Sequence, residues 1–165
     1  MEDSLQNHLM AYKAQLQIGH IQKAYKGLMD YMMTLRNHFL NEHPDSFVSG
    51  GHLYQGHMDV SFFTFTPISL KKLKLKIAIV FNHHNFRFEI WLAGQNRQIQ
   101  KRYWDIFKGS DWNKYHIPDT TAEGFSIVDH ILVEDPDFSD LNALTQQIEA
   151  EAMQFVNEML DVLAL

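Results

Sequence analysis

The chain has no cysteine. That absence excludes a disulfide scaffold, a thiolate nucleophile and any zinc–thiolate site. Phosphate-binding glycine loops are missing as well. Gly50-Gly51 lacks the Lys-Ser/Thr that would follow in a P-loop, and no G-x-G-x-x-G opens a helix. There is no Gly-x-Ser-x-Gly elbow and no Ser-x-x-Lys, so the common nucleophilic hydrolases have no footing. No apolar run approaches the roughly 18 residues needed to span a membrane. The opening MEDSLQNHLM is acidic and broken by polar groups, unlike a signal peptide. A cytoplasmic location without a membrane partner is the resulting expectation.

Glycine and proline are sparse, with eight and four in 165 residues, while 45% of the chain is hydrophobic and 21% charged. That is the composition of a folded protein, and the length suits one domain over 1–165 with its own core. The net charge of −6 conceals a strong asymmetry. Residues 1–70 sum to −2, residues 71–116 to +7, and residues 117–165, which hold no Lys or Arg, to −11. Either the acidic third docks on the basic third within the fold, or a basic surface is left open to an anion.

Hydrophobic spacing divides the chain. Leu5, Leu9, Tyr12 and Leu16 form a helical stripe over 4–17, interrupted at Gly19. A second helix over about 20–41 aligns Ile21, Tyr25, Leu28, Met32, Leu35 and Phe39, and Pro44 stops it. HMDVSFFTFT at 57–66 reads as a strand. KLKLKIAIVF follows, with Leu73, Leu75, Ile77, Ile79 and Phe81 on one face and Lys72, Lys74 and Lys76 on the other. The third run sets Phe86, Phe88, Ile90 and Leu92 against Arg87, Glu89 and Trp91. A four-residue turn at Asn82-His83-His84-Asn85, both histidines facing solvent, then pairs Phe81 with Phe86, Ile79 with Phe88, Ile77 with Ile90, and Leu75 with Leu92. Lys76 falls opposite Trp91.

Beyond Gly94 a helix is expected over 96–108, then a polar loop over 109–123 and a strand over 125–133. A long final helix follows, capped by Asp137 or Ser139, with Asp140 favouring its positive end. The order is ααβββαβα: an α+β fold with a small, mainly antiparallel four-stranded sheet and helices packed on one side. The apolar faces of the first two helices and the last are generous for so small a sheet, which suggests a homodimer.

Ten histidines raise the question of a metal. None forms the pair three or four residues apart that shares a helix face, and no His-Glu-x-x-His occurs. No metal site and no cofactor are expected.

The best constellation is the polar face of the 72–93 hairpin. Arg87, Glu89 and Trp91 share it with Lys76, and Asn96 and Arg97 bring a helix N-terminus to one end, where backbone N–H groups attract anions. The bland alternative is a salt-bridge ladder. The first reading is a non-enzymatic domain that binds a protein or small-molecule ligand on this face. A nucleic-acid reading uses Lys101, Arg102, Trp104 and Trp112, cations interleaved with aromatic platforms, although the sequence pI of about 5.9 opposes it. A third reading is a divergent or inactive restriction-endonuclease-like nuclease, whose core shares the element order. That superfamily places an acid on its second core strand and Glu-x-Lys on its third. Here the second strand has no acid, and the third reads Glu89-Ile90-Trp91, with Trp where Lys is required.

The segments GHIQKAYKGLMDYMMTLRNHF, YQGHMDVSFFTFTP, RFEIWLAGQNRQIQKRYWDIFKGSDWNK and ILVEDPDFSDLNALTQQIE, in that order, resemble a bacterial family of uncharacterised proteins. RFEIWLAGQN is the most specific portion. The resemblance implies a stand-alone bacterial cytosolic protein and carries no catalytic residue with it.

Overall fold

A computed structural model describes residues 3–121 and 126–165. Helix α1 (Leu5–Ile18) is capped by Ser4, whose hydroxyl accepts the Asn7 N–H, and closed by Gly19 at φ +83°. The same glycine starts α2 (His20–Glu42), so a single left-handed residue joins the two helices. Helix α2 buries Met29, Tyr31, Met32, Leu35 and Phe39, and ends just before Pro44.

Strand β1 (Phe47–Val48) pairs with β3 (Thr66–Pro67) in a two-stranded sheet, on either side of β2 (Val60–Thr64) in the chain. After the short helix α3 (Ile68–Lys72) come β4 (Leu75–Asn82) and β5 (Arg87–Gly94), then α4 (Arg97–Lys108), β6 (Val128–Val133) and α5 (Leu141–Val162). The main sheet runs β2-β4-β5-β6, every neighbour antiparallel. Isolated bridges lie along both outer strands, Tyr54 with Phe62 and His116 with Asp129, which shortens the exposed edges.

One sheet face carries Phe63, Leu75, Ile77, Ile79, Phe81, Phe88, Ile90, Leu92 and Val128. It packs into one core with α2, with Leu144, Ile148, Phe155 and Met159 of α5, and with Tyr103 and Phe107 of α4. A histidine clamp ties the end of α2 to α5: His38 and His43 both reach the Glu149 carboxylate, at 2.6 and 3.4 Å. The α+β class and the antiparallel four-stranded sheet agree with the reading of the sequence.

Several local expectations are corrected. In the hairpin Phe81 faces Phe88, Ile79 faces Ile90, and Ile77 faces Leu92, so the turn occupies 83–86 and the register moves by two residues. Asn82 causes the move: its side chain accepts the Asn85 N–H, and Asn82 itself pairs with Arg87 across the strands. Phe86 is left in the turn at φ +53°. An even shift keeps the side chains that do pair on their expected faces. Lys72 and Leu73 belong to the end of α3, and Lys74 turns at φ +60°, so of the alternating KLKLK only Leu75 and Lys76 lie in the strand. The first long strand starts at Val60, after Met58 at φ +62°. Asp140, not Asp137 or Ser139, caps α5, accepting the Ala143 N–H. Phe125, expected to open β6, lies outside the described residues.

Candidate ligand-binding site

Strand alternation places Phe62, Lys76, Ala78, Val80, Asn82, Arg87, Glu89, Trp91 and Ala93 on the face turned away from the core. Lys76 sits across from Ala93 rather than Trp91, and Trp91 lies opposite Ala78. At the centre is Glu89, only 6% exposed. A carboxylate so buried needs donors, and the sequence supplies them on the same face. Arg87 Nε donates to Oε1 at 2.8 Å, Asn82 Nδ2 to the same oxygen at 3.3 Å, and the Trp91 indole N–H to Oε2 at 2.8 Å. Arg87 also donates to both oxygens of Glu134 at 3.2 Å. Burial alone would lower the Arg87 pKa, but the bonds and charges of Glu89 and Glu134 hold it above its usual value.

Trp91 divides this face into two grooves. The first, of about 920 Å³, runs past Arg87, Glu89 and Trp91 to Lys114, His116 and Asp129. Its charges are matched internally. Asp129 accepts the Ser126 hydroxyl at 2.7 Å and pairs with His116 Nδ1 at 2.9 Å. Lys114 pairs with Glu158 of α5 at 2.7 Å, a bond that raises the lysine pKa. Serine and histidine each bond the aspartate and not one another, so this is no nucleophile–base pair.

The second groove, of about 620 Å³, lies between the sheet and the start of α4. Lys76, Trp91, Asn96, Arg97 and Gln100 line it, with Phe62, Tyr54 and Asp59 opposite. Among the described residues neither Lys76 nor Arg97 forms an ion pair. Asn96 caps α4 by accepting the Ile99 N–H at 3.0 Å. The first N–H groups of a helix otherwise have no intrahelical acceptor. Gln100 accepts the Gly94 N–H through Oε1 at 2.6 Å, and its Nε2 is buried with no hydrogen-bond partner among the described residues. Asp59 is occupied by backbone: the N–H groups of His57 and Val60 hold its pKa below the usual carboxylate range.

Of the six residues expected on this surface, the structure therefore gathers Lys76, Trp91, Asn96 and Arg97 around one groove. Arg87 and Glu89 form a clamp beside the other. The four nucleic-acid candidates lie on α4 and the loop after it, where Lys101 sits over the Trp104 ring and each has a partner of its own. Lys101 pairs with Asp105 at 2.8 Å, and Arg102 lies over the Tyr103 ring. Trp104 donates to the Pro118 carbonyl at 2.7 Å, and Trp112 packs edge-on against Phe107.

A third cavity, of about 620 Å³, was not anticipated. It runs along α2 past Ile21, Tyr25, Leu28 and Tyr31 to Met58, His83, Phe86 and Phe138. Helical spacing had placed Ile21, Tyr25 and Leu28 on the core stripe, and nothing in the sequence marks Met58 or Phe86 as its rim. His83 is half-buried here instead of facing solvent. It stacks on Tyr25 and bonds Ser61 Oγ through Nε2 at 2.8 Å. Burial lowers its pKa, and the Asp59 charge opposes that in part. His84 is exposed, as expected.

Among the described residues no group of three or more His, Asp or Glu side chains is placed to hold a metal, and no helix is long and apolar enough to cross a membrane. What fold and site define is an α+β domain with a buried carboxylate clamp on the sheet face turned away from the core and a cationic groove beside it. The chain matches the model of a domain family of unknown function (DUF7000) over residues 5–163, and it belongs to that family. No curated protein and no solved structure matches it.

Proposed function

We propose that the domain binds a small anionic ligand with a flat apolar part in the groove formed by Lys76, Trp91, Arg97 and the start of α4. One observation carries this reading. The cations of this groove are unpaired among the described residues, while those of the neighbouring groove are already neutralised by Glu89, Glu134, Glu158 and Asp129. An anion placed here meets two positive side chains and the N-terminal amides of α4. The indole of Trp91 and the ring of Phe62 supply apolar surface for the ligand body. The buried amide of Gln100 is an idle donor at the floor. No catalytic step is assigned to this site. The nuclease alternative has less support, because a metal at Glu89 would have to displace Arg87, Asn82 and Trp91.

The test is calorimetric titration with aromatic carboxylates and nucleoside monophosphates, followed by amide and indole NMR shifts. Shifts centred on Lys76, Trp91 and Arg97, abolished in the Lys76→Ala/Arg97→Ala double variant, are expected. Binding that survives the double variant, or no binding at millimolar ligand, removes the proposal.

A further inference from the structure

The cations of this chain are of two kinds. Lys26, Arg87, Lys101, Lys108 and Lys114 each pair with a carboxylate. Lys71, Lys72, Lys74, Lys76 and Arg97 form no ion pair among the described residues, and they collect at one end of the β4–β5 hairpin. Lys71 and Lys72 lie in the last turn of α3, and Lys74 leads into β4 at φ +60°. The Lys74 carbonyl accepts the Gln95 N–H at 2.9 Å, and Lys76 stands across from Ala93. Those two links set the lysine run beside Asn96 and Arg97, where α4 begins. Lys76 is half-buried and the other four are exposed. Lys71 to Lys76 span at most about 18 Å. Cations gathered this closely without counter-charges are the footprint of an extended anion.

The adjoining groove supplies aromatic surface. Tyr54, Phe62 and Trp91 line it. Tyr54 is 45% exposed, and its ring centre lies 4.9 Å from that of Phe62. Glu89 holds the Trp91 indole by its N–H, so this ring meets a ligand already oriented. Asp59 is the one acid in the described lining, and its carboxylate is taken up by the His57 and Val60 N–H groups. Helix α5, which carries Glu149, Glu151, Glu158 and Asp161, packs on the opposite face of the sheet. At about 0.15 M salt charges are screened over about 8 Å, so the net charge of −6 does not describe this surface.

We propose that this end of the hairpin binds single-stranded nucleic acid. Bases stack on Tyr54 and Trp91 in the groove, while successive phosphates follow Arg97, Lys76, Lys74, Lys72 and Lys71. The inference rests on the groove reading above and extends its flat anion to a chain of them. It uses none of the α4 cations Lys101 and Arg102. Cations that track a backbone beside aromatic platforms characterise single-strand sites. Phosphates recur along a strand every 3.4 Å or so, so a run of about 18 Å meets several. A duplex keeps its base faces covered, and a lipid surface does not reach rings recessed between sheet and helix.

The test is fluorescence anisotropy of the full chain with labelled 12-nucleotide oligo(dT) and oligo(U) from 50 to 200 mM salt. Five phosphate contacts give a slope of log K against log salt of about −3.5, or about 100-fold weaker binding across that range. The Lys71→Gln/Lys72→Gln/Lys74→Gln variant, altered only at exposed positions, is expected to bind less tightly, with a slope of about −1.4 and about sevenfold weakening. Tyr54→Ala should weaken binding by at least about fivefold and leave the slope unchanged. Circular dichroism verifies the fold of each variant. The inference is overturned by no oligonucleotide binding at 50 mM salt and 100 μM protein, by a slope that the triple variant does not change, or by a Tyr54→Ala variant that binds like wild type. Poly-glutamate, a 12-base-pair duplex or phosphatidylserine vesicles binding as tightly as the oligonucleotides would overturn it too. Thymidine monophosphate, titrated alongside, separates the two readings. If it binds at Lys76 and Arg97 and the oligonucleotide binds no tighter, this inference falls and the small-ligand reading stands; if neither binds, both fall.

Discussion

The indole N–H of Trp91 reaches back two residues along β5 to the Glu89 carboxylate, 2.8 Å away on the same face. With Arg87 and Asn82 on the other oxygen, this makes a buried acid held from both sides by side chains of its own hairpin. The clamp is built from the i, i+2 neighbours that a strand places on one face, so forming the hairpin also forms the clamp.

Removing the acid should be costly. Glu89→Ala strands three donors in a poorly solvated place, and a loss of about 3 kcal/mol is expected. Trp91→Phe, which puts a smaller ring in place of the indole and takes one donor from the buried carboxylate, should lose about 1–2 kcal/mol. Urea denaturation measures both. A Glu89→Ala variant within 1 kcal/mol of wild type would mean that water already shares the clamp.

Gly94 is required where β5 gives way to α4. A Cβ at this position would stand 2.4 Å from the Gln100 nitrogen and 2.8 Å from its Cα. Those are backbone atoms, so the helix itself must move. Gly94→Ala should destabilise by about 1–3 kcal/mol and displace the first turn of α4, weakening any ligand bound at Arg97. Retained stability together with unchanged amide shifts in α4 would contradict this.

His83 should make stability fall in mild acid. Burial holds its folded pKa below the unfolded value of about 6.5, so the unfolded chain takes up its proton first. The stabilisation is fully present above about pH 6.5 and is lost as pH falls through the folded pKa. Urea midpoints between pH 7.5 and 5 should decline more steeply in wild type than in His83→Gln. Equal slopes would remove His83 from the account.

Much of this architecture is legible in the amino-acid order because burial writes periodicity into it. The stripe Met32, Leu35, Phe39 and the alternation Leu75, Ile77, Ile79, Phe81 each have one folded solution. What escaped depends on backbone angles that apolar residues do not announce. Phe86 looks like the first residue of a strand and sits in a turn at φ +53°, because the Asn82 side chain sets the turn. Lys74, with a similar angle, ends an alternation that would otherwise extend the strand. The candidate groove was readable to the extent that β5 and α4 adjoin in sequence, which brought Trp91, Asn96 and Arg97 together with Lys76. The cavity beside α2 is assembled from four separate segments, and no local pattern marks it.

Gly19 has a further consequence. Its N–H bonds the Gln15 carbonyl and its own carbonyl accepts the Lys23 N–H, so the two hydrogen-bond ladders meet at this one residue. The azimuth of the Leu5–Leu16 stripe is therefore counted in residues from that elbow. One residue inserted into α1 ahead of it turns the stripe by about 100° relative to α2, with composition, capping and helix length almost untouched. Residue number acts here as an angular setting, and a single-codon insertion would reset it.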